Sequence, residues 1–112
     1  MSNFHATLAQ GLARMPGPYL DQYDVLIRHG TMTLGFYAPR GVDDQTPHTR
    51  DEVYVVMEGS GWFRNGPERH RFNKGDVLFV PAGVEHRFEE FSSDLALWVV
   101  FYGPEGGERS GG

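Results

Sequence analysis

The sequence predicts an all-β domain: eight short strands closed as a jelly roll or small barrel, preceded by one short helix. Three observations carry this. From Tyr23 to Tyr102 the chain is a succession of short runs rich in Val, Phe, Tyr, Leu and Thr, the pattern of half-buried strands. Turn residues separate the runs at the intervals of a sandwich or barrel, as in Glu58-Gly59-Ser60-Gly61, Asn65-Gly66-Pro67 and Asn73-Lys74-Gly75,. Helical spacing is found in the first fifteen residues, before the pattern changes,. At 112 residues, 39% hydrophobic and 13% aromatic, the chain can build one core,.

Taken in order, Phe4, Leu8, Leu12 and Met15 form the apolar stripe of the helix, with Ser2 and Asn3 as caps and Pro16-Gly17-Pro18 as its end,. Gly11 within it weakens the helix by roughly 1 kcal/mol relative to Ala, so docking has to support it. Strands are expected at 23–29, 31–38, 51–58, 60–65, 68–72, 76–80, 85–91 and 95–102. The polar segment from Pro39 to Pro47 has no periodicity and reads as a loop that delivers His48 to the start of a strand,. From Gly103 to Gly112 the Gly-rich tail holds too little apolar area to offset its ordering entropy and is expected to be disordered,. The organisation is thus helix and linker at 1–18, barrel at 19–102 and tail at 103–112.

Composition narrows the chemistry. Without cysteine there are no disulfides, thiolate ligands or thiol nucleophiles, so any metal is held by nitrogen and oxygen,. A formal net charge of -5, with ten scattered Lys and Arg, argues against nucleic acid as a partner,. The first fifteen residues lack the basic start and apolar run of a secretory signal, and no stretch is long enough to span a bilayer,. A cytoplasmic protein with no membrane partner is the expectation.

His48 and Glu52, with three residues between them at the opening of a strand, and His86, after the Pro81-Ala82-Gly83 turn, form a metal-site constellation. Two imidazoles and one carboxylate with open positions are the donor set of mononuclear non-haem sites. Strand alternation puts Glu52, Tyr54 and Val56 on one face, where a buried carboxylate needs a partner to stay charged,. Tyr54, inward by the same parity, is the candidate acid or base, against the plainer reading of a core tyrosine. His5, His29 and His70 read as surface residues, and Phe36, Phe79, Phe88 and Trp98 as core or as the lining of an apolar pocket,. Trp62, after a Gly-Ser-Gly turn, is expected to be partly exposed. Arg50 is expected to pair with Asp51 or Asp44, and Arg40, Arg50 and Arg87 near the mouth weakly favour an organic acid as substrate,.

The order Thr46-Pro47-His48, three residues, Glu52, six residues, Gly59, then Gly75, five residues, Pro81-Ala82-Gly83, two residues, His86 resembles the two motifs of small single-domain cupins. The resemblance covers roughly residues 20 to 102 and implies a double-stranded β-helix, paired as a homodimer, that holds one divalent transition metal. Iron, manganese, nickel and zinc all suit the donors. In that family the first motif supplies His-x-His and a Glu and the second a further His. Here Thr46 stands in the first His position and Glu90 where Asn is usual. The expected ligands are therefore His48, Glu52 and His86, with an open position or with Gln45 as a fourth. The implied function is a metal-dependent enzyme acting on a small, aromatic or carboxylated metabolite by dioxygenase, lyase or isomerase chemistry. The alternative is a non-catalytic module that binds a small metabolite, its metal structural or absent.

Overall fold

In a computed structural model that describes residues 4–17, 22–43 and 45–109, all eight expected strands are present. They are β1 (Tyr23–His29), β2 (Met32–Tyr37), β3 (Asp51–Glu58), β4 (Gly61–Asn65), β5 (Glu68–Phe72), β6 (Val77–Val80), β7 (His86–Glu89) and β8 (Ala96–Tyr102). Antiparallel pairing gives a five-stranded sheet in the order β1-β2-β8-β3-β6 and a three-stranded sheet in the order β5-β4-β7. Alternation along β3 sorts its residues as expected: Glu52, Tyr54 and Val56 are each 1% exposed, while Val53 and Val55 face outward and are half-buried.

The inward faces of both sheets interleave in one core that includes Tyr54, Phe63, Phe72, Phe88, Leu97 and Val99. Phe88 is its hub, with Tyr54 edge-on at 5.0 Å, Phe72 edge-on at 5.4 Å and Phe63 tilted at 4.7 Å. Such aromatic pairs add about 0.5–1.5 kcal/mol each beyond the burial of their area. Of the aromatics read as core or pocket, Phe36 and Phe88 are buried, whereas Phe79 is 47% exposed on the edge strand β6. Trp98 packs edge-on against Phe36 on the outer face of the large sheet.

The helix is shorter than its apolar spacing suggests. It spans α1 (Leu8–Ala13), and its cap is Thr7: Gln10 N donates to Thr7 Oγ1 at 3.1 Å while Thr7 N donates to Gln10 Oε1 at 2.8 Å. This reciprocal box starts the helix at Leu8 and leaves Phe4 outside it, 64% exposed,. The caps expected at Ser2 and Asn3, the Pro18 end and the boundary at 18–19 lie outside the described residues. Leu8 and Met15 pack over Phe36, Ala38, Ala96 and Trp98 on the outer face of the large sheet. Gly11 is what permits the approach, since a Cβ there would stand 2.4 Å from Phe36 Cδ1. The residue that weakens the isolated helix is the one that lets it dock.

The segment expected to be a disordered tail is tied down as far as it is described. Gly103 N donates to Thr31 Oγ1 at 3.1 Å, Gly106 N to the Thr49 carbonyl at 2.6 Å and Glu108 N to Asp51 Oδ2 at 2.8 Å. Of these acceptors, Asp51 is 5% exposed and needs donors, and the one at Thr49 is a backbone carbonyl,. Residues 110–112 lie outside the description.

Register also gathers charge. On the outer face of the small sheet Arg64 lies between Arg69 and Arg87, and Arg71 pairs with Trp62, so these four arginines are not scattered. Glu89 sits 2.8 Å from Arg69 and 3.3 Å from Arg64, and Glu90 2.6 Å from Arg69. Among the described residues no helix is long and apolar enough to cross a membrane.

Candidate metal centre

Two loops and two strand starts converge at one end of the core. Glu52 comes from the start of β3, His48 from the loop just before it and His86 from the first position of β7. The turn at Pro81-Ala82-Gly83 is fastened to the first loop by a 2.7 Å bond from Gly83 N to the His48 carbonyl. Gly83 has φ +79, the left-handed region that glycine adopts without strain,. Ring centroids of His48 and His86 are thereby 5.2 Å apart. One ligand-type atom from each of His48, Glu52 and His86 lies within 4.8 Å of the other two.

The second ring nitrogen fixes the role of the first. His86 Nδ1 donates to the Val84 carbonyl at 2.9 Å, so in the neutral ring the Nε2 lone pair faces the site,. That Nε2 lies 3.2 Å from Glu52 Oε1, 3.1 Å from the Tyr54 hydroxyl and 3.1 Å from Gln45 Oε1. His48 Nε2 is 3.2 Å from the same Gln45 oxygen. Tyr54 donates its hydroxyl hydrogen to Gln45 Oε1 at 3.0 Å. The amide oxygen of Gln45 thus occupies the middle of the cluster, while Thr46 is exposed.

The electrostatics are those of a buried, acceptor-rich site. Glu52 is 1% exposed, and with the His86 ring neutral its Oε1 has no hydrogen bond. Burial pushes the His48 imidazole below its ordinary value, with Glu52 only partly compensating. For His86 burial is again the largest influence and disfavours the charged ring, but hydrogen bonds to Glu52 and the Val84 carbonyl outweigh it and the net shift is upward. Burial first, then the Glu52 charge, holds the Tyr54 hydroxyl well above the ordinary tyrosine range. The same two causes push Tyr23 up to about 12.

These residues fit a divalent cation. A buried carboxylate oxygen without a donor is costly, and an ion among His48, Glu52 and His86 would satisfy it with nitrogen and oxygen donors of the kind borderline metals take. Gln45 Oε1 stands beside both imidazoles, where the fourth donor would be.

Above the cluster is a cavity of about 360 Å³ lined by Tyr23, Tyr37, Gln45, His48, Glu52, Tyr54, Val99 and Phe101. Sequence reasoning placed Tyr54 here but missed Tyr23, Tyr37 and Phe101. The missing signal was the parity of β2: Thr33, Gly35 and Tyr37 face inward opposite Phe101 and Val99. Gly35 leaves room for the Tyr23 ring, whose hydroxyl lies 2.5 Å from where a Cβ would be. Phe36, Phe79 and Trp98 do not line the cavity.

The arginines take other roles than those expected. Arg50 donates to the Thr31 carbonyl and lies over the Phe101 ring at 5.9 Å, while the Asp51 carboxylate is taken up by Ala82 N and Glu108 N. Asp44, the other expected partner, lies outside the described residues. Arg40 donates to the Pro39 and Leu95 carbonyls, and Arg87 is exposed on β7. None of the three lines the cavity, which removes the argument from arginine for an acidic substrate. His5, His29 and His70 are exposed and Trp62 is half-buried, as expected.

Comparison with known proteins agrees with this fold. The family profile described as Cupin domain matches residues 34–102. An uncharacterised protein of Streptomyces coelicolor, SCO3923, is 41% identical over 91 residues, covering 80% of this chain and 83% of the relative. Shorter stretches match acireductone dioxygenase of Drosophila melanogaster, 41% identical over 46 residues, covering 37% of this chain and 25% of that protein. Mannose-6-phosphate isomerase 2 of Arabidopsis thaliana is 46% identical over 48 residues, covering 42% of this chain and 11% of that protein. Among solved structures, a cupin-2 domain protein of Shewanella frigidimarina superposes with a TM-score of 0.67 at 17% identity, covering 88% of this chain and 94% of that one.

Proposed function

The chain belongs to the cupin family, and on that premise we propose that it is a mononuclear metal-dependent enzyme acting on a small organic molecule. The observation that carries the proposal is the buried triad of His48, Glu52 and His86, with its donor atoms within 4.8 Å and one carboxylate oxygen lacking any hydrogen bond. One divalent transition metal, iron, manganese, nickel or zinc, would be held by these three side chains and Gln45 Oε1. Bound there, the ion would supply Lewis-acid polarisation of a substrate oxygen and, in a redox-active form, chemistry with O2.

The chain's own groups define the rest. Tyr54, whose hydroxyl burial holds well above the ordinary tyrosine range and which donates to Gln45 Oε1, is the candidate hydrogen-bond donor or general acid,. Val99, Phe101 and the rings of Tyr23 and Tyr37 make a largely apolar cavity of about 360 Å³, within the range of small-metabolite sites and suited to an aromatic or otherwise apolar body,. Glu52 is the one formally charged residue among those lining it, so a substrate carboxylate or enolate would take its counter-charge from the metal. Dioxygenase, lyase and isomerase chemistry all fit. Short stretches like acireductone dioxygenase and mannose-6-phosphate isomerase support the first and third.

A second reading, a non-catalytic metabolite-binding module, is favoured by one feature. Gln45 Oε1 lies 3.2 Å from His48 Nε2 and 3.1 Å from His86 Nε2, so protonated imidazoles would donate to it and hold the cluster together. Elemental analysis after reconstitution with Fe(II), Mn(II), Ni(II) and Zn(II) tests the metal: about one ion per chain is expected, and none with any of the four removes the enzyme reading. A metabolite-extract screen then separates turnover from retention.

We also infer a cytoplasmic homodimer. The outer face of the large sheet supports the pairing: Ile27, Leu34, Val100, Val53 and Phe79 fall in one row across its five strands. Phe79 is 47% and Val77 64% exposed on the edge strand. A second copy would cover that row and shield the edge.

A further inference from the structure

A carboxamide can be turned end for end with little change in shape, so Gln45 alone does not decide whether oxygen or nitrogen faces the ligands. Asp43 decides it. This residue is 1% exposed, and its carboxylate accepts four hydrogen bonds. The Tyr37 hydroxyl at 2.6 Å and Gln45 N at 3.3 Å reach Oδ1, while Gln45 Nε2 at 2.7 Å and Phe88 N at 2.8 Å reach Oδ2. An ionised carboxylate only accepts. Turning the amide over would set oxygen against oxygen at 2.7 Å in a buried place,. Nε2 is therefore held toward Asp43, and Oε1 toward His48, His86 and Tyr54.

We propose that Asp43 is a positioning residue of the metal centre, which locks Gln45 so that its Oε1 serves as the fourth donor in the place Thr46 leaves open. The proposal rests on the metal-site reading above. Its anchor is independent of the ligands: Asp43 also holds Phe88 N of β7, the strand that begins with His86. One carboxylate thus keeps the Gln45 loop in register with the strand that carries His86.

The test is a titration of the purified protein with Co(II), read by chelator competition and by the visible absorption spectrum. Wild type is expected to bind one ion per chain. Asp43→Asn retains the shape but offers an N–H to Gln45, freeing the amide to turn. It should weaken Co(II) binding by about 10- to 100-fold, the usual effect of losing a ligand's hydrogen-bond partner. Its spectrum should move toward that of Gln45→Ala. In a Gln45→Glu background an oxygen faces the ion in either orientation and the two acids repel, so the same Asp43→Asn change should leave affinity unchanged or tighten it. Equal loss in both backgrounds would mean that Asp43 merely holds the loop, and no loss in either would also overturn the proposal. Should Asp43→Asn not fold, NMR of wild type decides: Zn(II) should shift the Gln45 side-chain carbonyl carbon while its Nε2 hydrogens stay protected. An unmoved carbon resonance refutes the role. Failure of wild type to bind Co(II) or Zn(II) at all overturns the metal reading itself, an outcome distinct from an unaffected Asp43→Asn variant.

Discussion

Replacing Glu52 by Gln separates a metal ligand from a structural ion pair, because the two make opposite demands on the metal-free protein. Glu52 is 1% exposed, lies 3.2 Å from His86 Nε2 and leaves Oε1 without a hydrogen bond. If the pair existed for stability, removing one charge should cost about 3–5 kcal/mol, the usual penalty for breaking a buried ion pair. Here a neutral amide also relieves the unmet desolvation of the carboxylate. The neutral His86 ring can accept the new amide hydrogen at its Nε2. These gains and the lost attraction nearly cancel, so metal-free Glu52→Gln should lie within about 1 kcal/mol of metal-free wild type. With metal at a hundred times its Kd, wild type should gain about 2.7 kcal/mol, on the order of 10 °C in Tm for a chain of this size. The variant should gain little. The assay is denaturation by urea and by heat, with chelator or with Zn(II) or Mn(II). A loss of several kcal/mol in chelator, together with no metal effect on wild type, would refute the argument.

Tyr54→Phe should retain metal stoichiometry but lower turnover of any substrate found, since only the donated hydrogen is removed; unchanged kcat would show that Tyr54 merely fills the core. Gly11→Ala sets a helix gain of about 1 kcal/mol against a Cβ 2.4 Å from Phe36 Cδ1, an overpacking that costs about 1–3 kcal/mol. Net destabilisation is expected in urea, and a stabilised variant would show that the helix does not dock there. Val53→Lys with Phe79→Lys should convert a dimer to a monomer in light scattering, and a wild type that is already monomeric contradicts the pairing. Protons compete with metal for His48 and His86, so the thermal shift given by metal should be larger at pH 8 than at pH 5. An equal shift at both would mean that imidazoles are not the ligands.

Much of the site could be read from local spacing. His48 and Glu52 are separated by three residues, one in the loop and the other at the strand start that follows it, and alternation alone placed Glu52 and Tyr54 inward. His86 was found by its turn, although what holds it beside His48 is a contact between distant loops, Gly83 N to the His48 carbonyl. Gln45 entered only as a substitute for the missing histidine. Asp43 escaped entirely, as one acid in a polar loop without periodicity. Nothing local shows that Tyr37, Gln45 and Phe88 N need the same acceptor.

By itself, then, the sequence determined the all-β class, the eight strands, the inward face of β3 and the residue types that can hold a metal. Period-two burial and turn chemistry act between near neighbours and leave their mark on the chain. Tertiary structure alone decided which amide end faces the cluster, which tyrosines line the cavity, why Gly11 sits in a short helix and where residues 103–109 attach. Each of these depends on partners far apart in sequence, such as Asp43 and Phe88 N, 45 residues apart. Such pairs meet only after the sheets have chosen their register, and a buried polar group takes whatever partner that register delivers.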